Sequence, residues 1–348
     1  MIDSLSDLLT STFHASDVTV LLRPGTVELV GVAEKEVLLR SGRSYATLLT
    51  PEEAPSDVQV SAYEQALSRN AERLGELLSS LSSTLLERYP DVVYVSLARA
   101  GTPIGCVLRR LARAKGREVA HYTLSIIRGE GLDLAALRLV RERHPTAHLV
   151  FIDGWSGKGA IARTLRASMP KDERWSLALV SDPAGVADHP ATFADLLLPH
   201  ALLNATVSGL LSRSFTTLPG KLHGARLEVA LAPHDLSRAY IDTLEHVAVQ
   251  ARVAVSAIDE QRPLSAPGLV LEIARSLGVR DVNLVKPGVG EATRVFLRRE
   301  PGHLLLKNKD HLDTLHLVKL AERRSVPITV RPDLPYLAAA FVQAGSGA

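Results

Sequence analysis

The chain has 348 residues, 46% hydrophobic and 22% charged, with 40 basic against 38 acidic side chains. That length exceeds one ordinary domain of roughly 100 to 150 residues, and the composition excludes a disordered, collagen-like or coiled-coil chain. The near balance of charge excludes a whole-molecule attraction to nucleic acid or membrane, so any such attraction must be local.

In chain order, residues 18–22 and 26–30 flank Arg23, Pro24 and Gly25, a spacing that predicts a β-hairpin. Residues 59–89 place Tyr63, Leu67, Leu74, Leu77, Leu78, Leu81 and Leu85 at three- and four-residue intervals, which predicts one long amphipathic helix packed on a sheet. From residue 92 onward, Val- and Ile-rich runs alternate with helical patterns. The predicted elements are strand 92–97, helix 103–114, strand 119–127, helix 132–143, strand 148–153, helix 160–169 and strand 176–181. That order makes an α/β fold, a parallel sheet with helices on both faces.

Near Pro233 the pattern changes to a helix over 236–250, followed by the polar stretch Asp259, Glu260, Gln261, Arg262 and Pro263. The expected division is a first domain over 1–240, a linker over 241–262 and a smaller α/β domain over 263–348. The smaller unit is predicted as helix 268–277, strands 282–285, 294–298 and 303–306, helix 310–323 and strand 328–330. Residues 236–348 carry 15 basic and 12 acidic side chains, against 25 and 26 before them, so the C-terminal unit is the basic one. Lys286, Arg294, Arg298, Arg299, Lys307, Lys309, Lys319, Arg323, Arg324 and Arg331 form a phosphate-contacting face if they share one side; a solvated surface explains them equally well.

The single cysteine, Cys106, excludes an internal disulfide, and no apolar stretch approaches the roughly 20 residues that span a bilayer. With no secretory start pattern, a cytoplasmic protein with no membrane partner is expected. The twelve histidines show no zinc-type spacing.

The most informative segment is Asp153, Gly154, Trp155, Ser156, Gly157, Lys158 and Gly159, where a strand meets glycines and a hydroxyl just before a helix. Glycines let backbone N–H groups approach an anion, and a helix N-terminus favours one. Ser156 adds a donor and Lys158 a full charge. Gly159 after Lys158 excludes a Walker A loop, and the glycine spacing excludes the dinucleotide fingerprint. Asp153, at the carboxyl end of its strand, stands where open α/β sheets hold ligands and would accept ribose hydroxyls. A tight turn capped by Asp153 is the alternative.

This segment resembles the 5-phosphoribosyl-1-pyrophosphate (PRPP) loop of type I phosphoribosyltransferases, in the form found in phosphoribosyltransferase-like proteins of bacterial tellurite-resistance and stress operons. Residues 96–105, with Arg99, Ala100, Gly101 and Thr102, resemble the pyrophosphate loop of the same enzymes, and the similarity continues through Arg128, the segment 181–185 and the segment 203–213. The C-terminal unit is similar to a Pelota-type RNA-binding domain. Departures from the family are Gly154 in place of a second acid, and Gly157 and Ala160 in place of hydroxyl residues.

The resemblance implies a type I phosphoribosyltransferase-like parallel sheet and transfer of phosphoribosyl from PRPP to a base or related acceptor, with Mg as cofactor and pyrophosphate as product. Arg99 and the N–H groups of Ala100, Gly101 and Thr102 would hold pyrophosphate, with Arg128 closing over it. Asp153 would bind the ribose and steady positive charge on its ring. Gly154, Ser156, Gly157, Lys158 and Gly159 would cradle the 5-phosphate, and Asp182, Asn204, Ser208 and Arg213 would line the acceptor pocket. Asn204 and Ser208, four residues apart, serve equally as a helix cap. The implied partners are PRPP or a nucleotide, RNA through the C-terminal domain, and a second copy in a homodimer. The alternatives are a nucleotide-binding sensor without catalysis and a cysteine protease, a label the same family carries. The only protease nucleophile would be Cys106, which falls on the apolar face of its predicted helix.

Overall fold

A computed structural model of the chain describes residues 8–31, 34, 37, 38, 41–127, 129–251 and 261–343. The first domain contains β1 (Thr19–Val20), α1 (Asp57–Arg88), β2 (Val92–Ala98), α2 (Gly101–Ala114), β3 (Ala120–Ile127), α3 (Leu134–Arg143), β4 (His148–Trp155), α4 (Ala160–Ser168), β5 (Trp175–Ser181), β6 (His189–Thr192) and α5 (Ser237–Gln250). Its sheet runs β1-β3-β2-β4-β5-β6 with every one of these pairings parallel. A two-residue strand, Gly131–Leu132, adds antiparallel to β3.

Period-two alternation divides each buried strand between two cores. Tyr94, Val150 and Ile152 face a cluster with Leu74 and Leu78 of α1, Ile104 and Leu108 of α2 and Leu244 of α5. Val95, Leu97, Leu149 and Phe151 face the opposite cluster, with Leu137 and Val140 of α3 and Leu165 of α4. The long helix starts where Ser56 and Gln59 close a reciprocal capping box.

β2 lies between β3 and β4. The chain leaves β2 toward one side and, after β3, returns to the other, so the carboxyl ends of β2 and β4 form the topological switch point where such sheets bind ligands.

The smaller domain holds α6 (Ala266–Ser276), β7 (Val285–Pro287), α7 (Val289–Arg298), β8 (Pro301–Leu306), α8 (Leu315–Arg323), β9 (Ile328–Val330) and β10 (Ala338–Val342). Its sheet order is β7-β10-β8-β9, antiparallel on both sides of β10 and parallel between β8 and β9. Val289, Val295 and Phe296 of α7 and Leu304 and Leu306 of β8 belong to the same apolar cluster as α1, α2 and α5. The two domains therefore share a continuous core and are packed together rather than tethered.

Three expectations differ from the structure. The predicted hairpin does not form: β1 pairs with β3, Arg23–Pro24 with Gly224–Ala225, and Glu28–Leu29 with Leu48–Leu49. Gly25 packs beneath the Phe215 ring instead of turning a hairpin. Residues 241–250 are not linker, because Tyr240, Ile241, Leu244 and Ala248 bury one face of α5 against the first domain. The predicted strand 294–298 is the end of α7, whose Val289, Ala292, Thr293, Val295 and Phe296 bury a helical stripe.

Candidate ligand site between the two domains

β2 and β4 are neighbours, with Ser96 paired to Ile152. Their tips touch: a β-carbon on Gly101 would stand 2.1 Å from the Ile152 carbonyl oxygen, so only glycine permits the approach. A cavity of about 780 Å³ opens at these tips, and Arg99, Asp153, Ser156, Gly157, Lys158 and Gly159 all line it. That volume suits a nucleotide-sized ligand.

β4 runs on to Trp155, so Asp153 still sits in the strand, paired to Leu179 of β5. Its carboxylate accepts the Gly154 N–H at 2.8 Å. Burial pushes its pKa up to about 6; the Gly154 N–H and Arg294 oppose the rise, and Glu291 adds to it. Gly159 takes a left-handed φ of 73° and caps α4, whose opening residues Ala160, Ile161 and Ala162 also line the cavity. The first N–H groups of a helix have no acceptor within it, so this end favours an anion.

Two expected cations are engaged by the protein. The Arg99 guanidinium pairs with Glu52 at 2.5 Å and donates to the Leu211 carbonyl at 2.5 Å. Burial opposes ionisation of Glu52, but Arg99 and Arg298 outweigh it and hold the carboxyl below its ordinary range. Lys158 Nζ donates to the carbonyls of Val282 and, at 2.9 Å, Val285, so it reaches into the C-terminal domain.

The remaining predicted residues divide. Asn204 and Arg213 line the cavity, Asn204 accepting from Arg298 and Arg213 donating to the Leu48 carbonyl. Ala100, Gly101 and Thr102 lie off the wall, buried in the first turn of α2. The Thr102 N–H donates to the Arg99 carbonyl at 3.2 Å, and its hydroxyl meets that of Thr123 at 2.8 Å, so both groups of Thr102 are engaged within the protein. Gly154 is likewise buried off the wall, its N–H on Asp153. Asp182 is fully buried, accepting from Ser156 Oγ at 2.7 Å and from the Ala187 N–H at 2.8 Å, and does not line this cavity. The Ser208 hydroxyl is buried and turned back on the Asn204 carbonyl at 2.9 Å, so it belongs to the turn and not to the pocket. Arg128 lies outside the described residues.

Further residues of the wall come from both domains; the sequence did not point to Glu52, Glu53, Ser214 or Glu291, and pointed to the four cations only as part of a basic run. Glu52, Glu53 and Ser214 line the cavity from the first, and Lys286, Glu291, Arg294, Arg298 and Arg299 from the second. The basic run was visible in the sequence, but its location over the strand tips was not. Of the remaining basic residues, Lys307, Lys309, Lys319, Arg323 and Arg324 are exposed, and Arg331 pairs with Asp333.

A family model described as tellurite-like stress resistance cysteine protease StiP matches residues 11–245. The chain belongs to the StiP family. A second model, the Pelota RNA-binding domain, matches residues 265–344. The StiP-family relative "Cysteine protease StiP" of Acinetobacter baylyi is 32% identical over 358 residues, covering 95% of this chain and 94% of its own. Among solved structures, HGPRT-ase from Leishmania tarentolae in complex with GMP aligns with TM-score 0.28 and 12% identity, over 35% of this chain and 76% of that one.

The protease label in the StiP family description raises the question of a thiol. Cys106, the chain's only cysteine, is fully buried in α2. Burial, reinforced by Asp17, pushes its thiol well above the ordinary value despite Arg110 and Arg109, so the reactive thiolate is disfavoured.

Proposed function

We propose that this StiP-family chain binds a phosphorylated pentose, PRPP or a nucleotide, at the tips of β2 and β4 and transfers the phosphoribosyl group to a base or related acceptor. The observation that carries this reading is the meeting of Arg99, Asp153 and the residues 156–159 in one cavity at the switch point of a parallel sheet. In the reaction, the acceptor nitrogen forms a bond to C1 of the ribose as the bond from C1 to the pyrophosphate oxygen breaks; pyrophosphate departs with the electron pair, and the proton of the acceptor N–H is released to water. Asp153 accepts the ribose hydroxyls and offsets positive charge on the ring; the N-terminus of α4 holds the 5-phosphate.

Magnesium fits this donor set only in part. Among the described residues no group of three or more His, Cys, Asp or Glu converges, and Glu52 is engaged with Arg99. Asp153 is the carboxylate at the strand tip, which agrees with the habit of Mg²⁺ to take one or two carboxylates and otherwise ligand phosphates and water. When bound, the ion would neutralise diphosphate charge.

Calorimetric titration with PRPP and Mg²⁺, followed by assay of pyrophosphate release with candidate bases, tests the reading. We expect binding and release, with Asp153→Asn slowing turnover by about 100-fold or more. Absence of PRPP binding sinks it. Binding of nucleotides without release favours the non-catalytic sensor, a second reading supported by the engagement of Arg99 and Lys158 with protein acceptors. RNA binding through the exposed residues Lys307, Lys309, Lys319, Arg323 and Arg324 would weaken steeply with salt. A cysteine protease would lose all activity in Cys106→Ala. Full retention of biological function in that variant is the outcome expected from its burial.

A further inference from the structure

The cavity wall divides by domain, and its charge divides with it. From the first domain, Arg99, Lys158 and Arg213 face Glu52, Glu53 and Asp153, an even balance. From the C-terminal domain, Lys286, Arg294, Arg298 and Arg299 face Glu291 alone. The positive surplus of the whole cavity, three charges, therefore comes entirely from the C-terminal domain.

That second wall is fixed in place. The Asp195 carboxylate of the first domain accepts the N–H of Val289, at 3.0 Å from either oxygen, and so caps α7; it also accepts the N–H of Leu337 at 2.8 Å. Tyr336 donates to the Gly157 carbonyl at 2.9 Å. Asp313, buried in the C-terminal domain, accepts from Asn70 at 2.9 Å and from the Leu197 N–H at 3.1 Å. Trp155 packs so closely on α7 that a β-carbon at Gly290 would stand 2.7 Å from the indole.

Arg294 is the best placed of the four cations. Its guanidinium lies 4.4 Å from the centroid of Trp155, two residues beyond Asp153. Its one carboxylate contact, Glu291, is at 3.4 Å, near the limit of a hydrogen bond, and its Nε is buried with no hydrogen-bond partner. Stacking leaves the edge of a guanidinium free to bind a phosphate in the plane of its fork.

We infer that the C-terminal domain is the second half of the ligand site, with Arg294 and Lys286, which line the same cavity, contacting a phosphate group of a phosphorylated small molecule whose other end meets the tips of β2 and β4. This rests on the reading of the cavity as a phosphorylated-pentose site, and assigns the C-terminal domain a role in the first domain's chemistry. Four cations in under fifteen residues thus face a small ligand, and the exposed basic residues of α8 and the loop after β8 remain for a polymer.

The test uses the full chain and three probes: PRPP with Mg²⁺, AMP, and inorganic pyrophosphate, each titrated into wild type, Arg294→Gln, Arg294→Lys and Lys286→Gln/Arg294→Gln. We expect Arg294→Gln to weaken binding by about 10- to 100-fold, the double variant to weaken it further, and Arg294→Lys to recover part of the loss. If wild type binds PRPP or AMP and the double variant binds within twofold of it, the inference falls and the pentose reading stands. If wild type binds neither but binds pyrophosphate in an Arg294-dependent way, the pentose reading falls and the inference stands. Binding of none of the probes overturns both. Should the Arg294 variants fail to fold, Trp175→Phe leaves Trp155 as the sole tryptophan, stacked under Arg294. Saturating ligand must then change its emission, and an unchanged spectrum overturns the inference.

Discussion

The loop after β2 and the loop after β4 occupy neighbouring places on one sheet edge, yet they are held in opposite ways. The first is fixed by its own domain: Arg99 is tied to Glu52 and Leu211, Thr102 to Thr123, and the Ser96 hydroxyl donates to the Gly101 carbonyl at 3.0 Å. The second is anchored in its own domain at Ser156, which donates to Asp182, but from Gly157 onward it is also held from outside: Gly157 accepts from Tyr336 and Lys158 spans to Val282 and Val285, while the Trp155 Nε1 donates to Glu291 at 3.3 Å. One loop is therefore held by its own domain, and the other shares its anchorage with the second domain. Damage to the interface should leave the first loop intact and release the second.

The sharpest way to break this contrast is at Glu52. Glu52→Ala leaves the Arg99 guanidinium, 8% exposed, without its carboxylate, and loss of one partner of a buried pair costs about 3 to 5 kcal/mol. Chemical denaturation should show that loss in global stability. A cost below about 1 kcal/mol would mean that water replaces the carboxylate and that the loop is not locked from within.

Next in size are two changes at the interface. Gly290→Ala drives a methyl group into Trp155, and Asp195→Ala strips the cap from α7; each should cost about 1 to 3 kcal/mol. Because the contrast places both effects on the second loop, limited proteolysis should cut at Lys158 faster than in wild type. Trp155 emission should also shift red as the indole becomes wet. Global destabilisation with unchanged proteolysis and emission would show that the domains do not separate on their own.

The same contrast explains what was legible in the sequence. The long helix, the alternating strands and helices and both tip segments follow from periodicities and turn residues within ten to thirty residues of one another, and all appear where local pattern placed them. The misread elements depend on distant partners. Residues 294–298, with Val295 and Phe296 in tandem, read locally as a strand, but they end the helix Val289–Arg298, whose capping carboxylate, Asp195, lies 94 residues before Val289. Ala338–Val342 is buried throughout as the centre of the small sheet, and a run of small apolar residues carries no alternation to announce it. Lys158 was legible as a cation beside a glycine-rich turn. That its charge would be spent on the carbonyls of Val282 and Val285 was not, because nothing local to residue 158 encodes the second domain's position. The cationic wall was legible only as composition.

The smallest expected effect concerns Asp153, where the two loops meet. Its carboxyl is raised to about 6, chiefly by burial, so it is mostly protonated at pH 5 and mostly ionised at pH 7. The ionised form is the stronger acceptor of ribose hydroxyls, so affinity for a ribose phosphate should rise, by up to about tenfold, from pH 5 to pH 7 and level off above. The folding signature has the opposite sign. The native pKa exceeds the unfolded value of about 3.9, so the native state binds the proton more tightly, and this group's contribution to stability declines as pH rises from about 4 to about 6 and is flat beyond. Asp153→Asn should remove both slopes together. Titrations of PRPP at pH 5, 6 and 7, paired with denaturation at the same pH values, check this. If the binding slope persists in Asp153→Asn, the titrating group is another, and Asp153 serves the turn rather than the ligand.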